Sequence, residues 1–156
     1  MADYADPADS RQLIALLDAY AMDPMGGEEP LSPRVRENLC SELQQVPGAF
    51  SLIAETQGQA VGLANCFTGF STFQCKPLIN IHDLAVLPDY RAQGVGQILL
   101  QAVEDVAVER GCCKVTLEVL SGNDAARRAY QKFGFAAYAM SDELGVAEFW
   151  QKYTGV

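Results

Sequence analysis

The chain has 156 residues, 49% of them hydrophobic, which is the size and apolar content of a single domain with a sizeable core. A formal net charge of −9 argues against a basic face for nucleic acid, and no apolar run approaches the ~18–20 residues of a membrane-crossing helix. The acidic opening "MADYADPADS" lacks a charged-then-apolar signal layout, so a cytoplasmic protein is expected.

Five cysteines (Cys40, Cys66, Cys75, Cys112, Cys113) show no CxxC spacing and read as free thiols; with one histidine, His82, in the chain, no metal site is expected. The charge is uneven. Residues 1–56 carry ten acids against three bases, a net of −7, whereas residues 84–134 carry six of each. Acidic side chains at the front fit two readings, simple solubility or an acidic pocket for a cationic substrate.

In chain order, Leu13, Leu16, Leu17 and Tyr20 recur at helical spacing from about Pro7 to Met22, with Asp9 or Ser10 as a cap. The loop "DPMGGEEPLSP", residues 23–33, should be exposed and irregular, and a second helix covers Arg34 to Gln45. "FSLIAET" and "QAVGLANCFTGFSTF" then read as two strands joined by a hairpin turn at "TQGQ". In the next strand, "PLINIHDLAVL", the apolar phase moves from Ile79 and Ile81 to Leu84 and Val86. Either a bulge near His82 and Asp83 shifts the register or the strand is buried on both faces.

After Gly94 comes the best-defined helix, with Val95, Ile98, Leu99, Ala102, Val103, Val106 and Ala107 in one stripe and Gly111 as its C-terminal cap. "CKVTLEVL" alternates as a strand. A helix from about Asp124 to Phe133 is opened by Asn123 and closed by Gly134, and "FAAYAM" and "AEFWQKYT" read as two final strands. The order implies one α/β domain over residues 1–156, its sheet mixed because hairpins and crossovers both occur.

The glycines at the head of the third helix pose a chemical question. A helix N-terminus offers unpaired amides to an anion, and "RAQGVG" is a short loop of consecutive amides at that point. It is neither a dinucleotide fingerprint, since Leu99 stands where a third glycine is required, nor a P-loop. A lone GxG reads as an ordinary turn. Here "LAVLPDYRAQGVG" is followed by an amphipathic helix, a strand and "NDAARRAYQKFGF". This linked pattern resembles the GNAT superfamily of acetyl-CoA-dependent N-acetyltransferases over roughly residues 78–138.

The resemblance implies a GNAT-like mixed sheet with a splayed central strand, and acetyl-CoA as co-substrate. It also implies that amides of Arg91, Ala92, Gln93, Gly94, Val95 and Gly96 hold the pyrophosphate. Leu84, Ala85 and Val86 would pair with the pantetheine arm, with an amide near Leu84 or Ala85 polarising the acetyl carbonyl. Asn123 would contact the cofactor, besides capping its helix, and Tyr130 would protonate the departing thiolate as general acid. His82 stands where some members carry a carboxylate base; a packed strand histidine is the plainer reading, and Glu118 or water the other candidates for the base. Arg127, Arg128 and Lys132 fit contact with the 3′-phosphate or a solvated helix face.

"FTGFSTF" and "IHDLAV" also resemble the diamine-acetylating members, and with Glu28 and Glu29 they favour a small cationic amine as acceptor. A non-catalytic acyl-CoA-binding module of the same fold and a cysteine-based covalent route are the competing readings. A homodimer through "AEFWQKYT" is a family expectation, set against an internal strand that buries Phe149 and Trp150.

Overall fold

The computed structural model describes residues 1–139 and 147–154. The chain divides into two compact units, Met1–Leu117 and Glu118–Val156.

In the first unit two helices precede a four-stranded sheet. α1 (Pro7–Ala21) starts at Asp6, whose carboxylate accepts from the Ala8 amide, with Pro7 at the first helical position where no donor is needed. The cap therefore lies three residues before the expected Asp9. α2 (Pro33–Gln45) is capped by Ser32 and also begins with proline. The loop between them is exposed, as expected, but it is tied down. Asp18 accepts from the Leu31 amide and pairs with Arg36 at 2.9 Å, and the Asp23 carbonyl accepts from the amides of Gly26 and Gly27.

β1 (Ala49–Thr56), β2 (Gln59–Ser71) and β3 (Lys76–Val86) form an antiparallel meander, and β4 (Val115–Leu117) joins β3 in parallel through the crossover helix α3 (Val95–Glu109). Buried Phe50, Val61, Leu63, Cys66, Ile79 and Ile81 from the sheet and Leu99, Leu100, Val103 and Ala107 from α3 make the core, with Leu13 and Leu16 of α1 also sealed. The buried side of α3 is thus turned from the expected stripe: Ile98 is 66% exposed, while Leu100 is buried.

The second unit holds α4 (Asp124–Phe133), with the predicted bounds and caps. Asn123 Oδ1 accepts from the Ala126 amide. At the other end Gly134 lies at φ 111°, its amide bonds Gln131 O, and the Phe135 amide bonds Tyr130 O. This is a Schellman turn, with the Phe135 ring packed edge-on to Tyr130. The two final strands do not form as expected. Among the described residues there is one bridge, at Ala139, and the Ala147 amide donates to Tyr138 O; Met140 of "FAAYAM" lies outside the described residues. Phe149 and Trp150 are exposed rather than packed as in an internal strand.

Candidate active site

The bulge expected in β3 is present, and it builds the site. Asn65 pairs with Asp83 but the next residue, Cys66, pairs with Ile81, which leaves His82 as the extra residue. Before it, the Ile79 amide donates to Lys114 O, towards β4; after it, the Leu87 amide donates to Val61 O, towards β2. The one-residue insertion reverses which residues face which neighbour. By the alternation of an antiparallel ladder, Asp83 and Ala85 then direct their backbone at β2, whereas Leu84 and Val86 direct theirs at the opposite edge.

That edge is open within the first unit. The parallel ladder to β4 ends at Ile81 opposite Leu117, one residue before the bulge. Of the three residues expected to line a pantetheine arm, Leu84 and Val86 have backbone groups aimed at that edge, where the Val86 carbonyl already accepts from Arg91 Nε. Ala85 does not, because its own are directed at Leu63, so it can line the site only by its side chain.

The bulge also gathers side chains on one face. Asn65 and Phe67, two apart on β2, share a face; Asp83 Oδ2 accepts from Asn65 Nδ2 at 2.9 Å, and His82 meets the Phe67 ring edge-on at 5.6 Å. Consecutive residues His82 and Asp83 therefore project on the same side, where a regular strand would separate them. This is also the face of α1. Burial, and then the negative charges of Asp83 and Asp23, push the Tyr20 phenol above its usual range. Leu16, Ala19, Tyr20, Ala85, Leu87 and Arg91 line a small hollow at this end of α1.

The loop that leads into α3 is shaped by two left-handed residues, Ala92 at φ 58° and Gly94 at φ 88°. A side chain built on Gly96 would meet only Val86 Cγ2, at 4.0 Å, so the approach to the helix end is open. Among the four α-helices of the described residues, α1, α2 and α4 each use a side chain to cap their first turn, and α3 does not. A helix head without a side-chain cap is the kind of N-terminus that favours an anion. Gln93 bonds the Asp89 carbonyl through Nε2, and Val95 and Gly96 open the helix.

Arg91 differs from its expected use. Its amide bonds Pro88 O, so it is already committed, while Nε donates to Val86 O at 2.9 Å and the guanidinium pairs with Asp23 Oδ2 at 2.6 Å. Arg91 thus fastens the loop to the end of β3 and to the turn after α1. The Met25 amide, and next the Arg91 guanidinium, hold the Asp23 carboxyl below the usual carboxylate range.

In the second unit, Asn123 performs its capping role, and Tyr130 stands two turns further along α4 on the same helix face. Arg127 bonds Ser121 O and lies 3.5 Å from Asp124, and Arg128 and Lys132 are exposed. Residues that sequence reasoning passed over are Tyr4, Tyr20, Asp23, Ser51 and Asn65. One signal was available: Asn65 is a lone amide inside the apolar run "VGLANCF".

Residues 13–135 match the model of the acetyltransferase (GNAT) family. The chain belongs to this family. It is 34% identical over 137 residues to the uncharacterized N-acetyltransferase YhfO of Bacillus subtilis, a match covering 84% of this chain and 86% of YhfO. It is 32% identical over 113 residues to the thialysine N-epsilon-acetyltransferase of Bos taurus, covering 72% of this chain. The chain spans 59% of that bovine protein and 54% of an uncharacterized N-acetyltransferase of Archaeoglobus fulgidus. Among solved structures, an aminoglycoside acetyltransferase from an uncultured soil metagenomic sample, in complex with sisomicin, superposes with a TM-score of 0.76. That match, at 23% identity, covers 98% of this chain and 93% of the other, and shows the same fold. Among the described residues no helix is long and apolar enough to cross a membrane.

Proposed function

We propose that the protein is an acetyl-CoA:amine N-acetyltransferase acting on a small cationic amine by direct transfer. The observation that carries the reading is the bulge in β3. It opens the strand edge at Leu84 and Val86 and places His82 and Asp83 together on the α1 face. Acetyl-CoA is the donor this arrangement fits. Amides from Ala92 to Gly96 receive the pyrophosphate at the uncapped head of α3, and the exposed edge of β3 pairs with the pantetheine arm as an added strand. The Leu84 amide is the donor that polarises the acetyl carbonyl oxygen.

The neutral amine attacks the carbonyl carbon, forming the C–N bond, and the tetrahedral intermediate expels the thiolate as the C–S bond breaks. His82, directly or through water, takes the proton released by the attacking nitrogen, and the Tyr130 hydroxyl gives one to the thiolate. Asn123 contacts the cofactor while it caps α4. A cationic acceptor is favoured by the Asp83 carboxylate beside Tyr20, and by relatives named for thialysine acetylation and crystallised with sisomicin. Five unbridged cysteines suit a reducing cytoplasm. The exposed Phe149 and Trp150 offer apolar surface to a second copy.

The Tyr130→Phe variant tests the mechanism. Turnover should fall by about a hundredfold, the scale of a lost general acid, with the Kd for coenzyme A unchanged and no acetyl-protein adduct in intact-mass spectra. Unchanged turnover would remove Tyr130 from the reaction, and a stable acetyl adduct would indicate a covalent route.

A further inference from the structure

Two of the most deeply buried polar side chains in the protein lie in a row that ends at the candidate site. Ser51 is fully buried and Asn65 is 4% exposed, in a sheet otherwise sealed by aliphatic side chains. Polar groups in such a place are tolerated only when they are bonded, and these are. Tyr4 Oη lies 2.9 Å from Ser51 Oγ, Ser51 Oγ donates to Asn65 Oδ1 at 2.6 Å, and Asn65 Nδ2 donates to Asp83 Oδ2 at 2.9 Å. Ser51, Asn65 and Asp83 are direct cross-strand partners on β1, β2 and β3, so the row runs straight across the sheet.

The bonds have one direction. Asn65 must present its NH2 to the carboxylate, since its oxygen would repel it; its oxygen then faces Ser51, whose single proton is used there. The proton between Tyr4 and Ser51 therefore belongs to Tyr4, and burial, which pushes the Tyr4 phenol up, keeps it protonated. The Ala2 amide also bonds Ser51 O, so the segment before α1 is docked on β1 at the start of the row. Every donor in the chain points towards Asp83, whose carboxylate is thereby fixed in rotation. Around that carboxylate stand Asn65 from β2, Tyr20 from α1 and, beside it on β3, His82.

We propose that Asn65 is a positioning residue for the acceptor. Held from behind by Ser51 and Tyr4, it orients the Asp83 carboxylate so that Asp83 receives a cationic group of the amine substrate next to His82. The N-terminal segment is thereby part of the acceptor site although it lies on the far side of two strands. This rests on the acetyl transfer to a cationic amine proposed above, and it assigns the residue that recognises the charge.

The experiment is a double-mutant cycle read by steady-state kinetics, with thialysine and 1,3-diaminopropane as acceptor probes and acetyl-CoA as donor. Ser51→Ala removes one hydroxyl and is the gentler variant; Asn65→Leu removes the amide at similar volume. Asn65→Leu should raise the amine KM by about tenfold, the worth of one hydrogen bond to a charged group, and Ser51→Ala by about threefold or more, the worth of one between neutral groups, while the acetyl-CoA KM stays as in the wild type. In the Asp83→Asn background, neither should raise the amine KM further. Should Asn65→Leu fail to fold, the Ser51→Ala arm decides alone. An effect of equal size with and without the Asp83 carboxylate, or one shared by both KM values, would overturn the relay. Wild-type protein that acetylates neither probe would instead overturn the reading of the acceptor class, and this inference with it.

Discussion

Replacing Arg91 with methionine keeps the aliphatic stem and removes both of its side-chain bonds, the 2.9 Å contact to Val86 O and the 2.6 Å pair with Asp23. The Arg91 side chain is 50% exposed and that of Asp23 14%, so solvent screens the pair, and it contributes about 0–1 kcal/mol. The bond to the carbonyl adds roughly 1 kcal/mol. The stability loss should then be about 1–2 kcal/mol, or roughly 2–8 °C in Tm for a chain of this size. The effect on the donor should be larger in proportion. Without the clamp, the loop through Ala92 and Gly94 must be ordered when acetyl-CoA binds, at about 1–2 kcal/mol for each residue fixed. The acetyl-CoA KM should therefore rise by about tenfold or more, with the amine KM little changed. Thermal unfolding and initial rates measure the two quantities on the same sample. A lower Tm with an unchanged acetyl-CoA KM would show that Arg91 does not shape the loop. A raised KM with an unchanged Tm would mean that Arg91 touches the donor itself.

Two further outcomes follow from the ionisation of single groups. The depressed pKa of Asp23 means that its bonds to Met25 and Arg91 stabilise the fold at neutral pH and cease to do so as pH falls through a value below 3.8. Asp23→Asn should thus lower Tm at pH 7, with a deficit that shrinks as pH is taken below 3.8, as seen by circular dichroism; a deficit that stays constant down to the acid unfolding of the protein would refute the assignment. Burial pushes the Cys66 thiol up to about 12, whereas Cys75 is exposed. Iodoacetamide at about pH 8 should alkylate Cys75 and spare Cys66 in the folded protein, and rapid labelling of Cys66 by mass spectrometry would contradict its burial.

The helices and the first strands were legible from local signals, whereas the two segments read as final strands carry among the described residues only the bridge at Ala139. α4 carries its cap, its stop and its strong amphipathicity in sequence, and its bounds agree with the structure. The bulge in β3 was legible only as one of two explanations: the apolar set moves from Ile79 and Ile81 to Leu84 and Val86, but burial on both faces would blur the alternation as well, and the pairing with β2 decides for the bulge. The face of α3 was misread. Ile98 and Leu100 both fit a helical stripe, and only packing against the sheet decides between them. The role of Arg91 was hidden for a related reason. Its carboxylate partner, Asp23, is 68 residues away, and no local pattern encodes a contact at that separation. The row from Tyr4 to Asp83 depends on register across three strands, which a lone Asn in an apolar run suggests but cannot aim.

The most direct test of the account is thiol release from acetyl-CoA by the wild-type chain across a panel of acceptors. The panel should hold thialysine, diamines, aminoglycosides and neutral amines of similar size, each assayed at low and high salt with the acetylated product identified by mass. The account predicts acetylation of the cationic amines, with rates that fall as salt rises, and weak activity on the neutral ones. Equal rates on neutral and cationic amines with no salt dependence would contradict the acceptor class. Binding of acetyl-CoA with no thiol released by any amine would contradict catalysis itself.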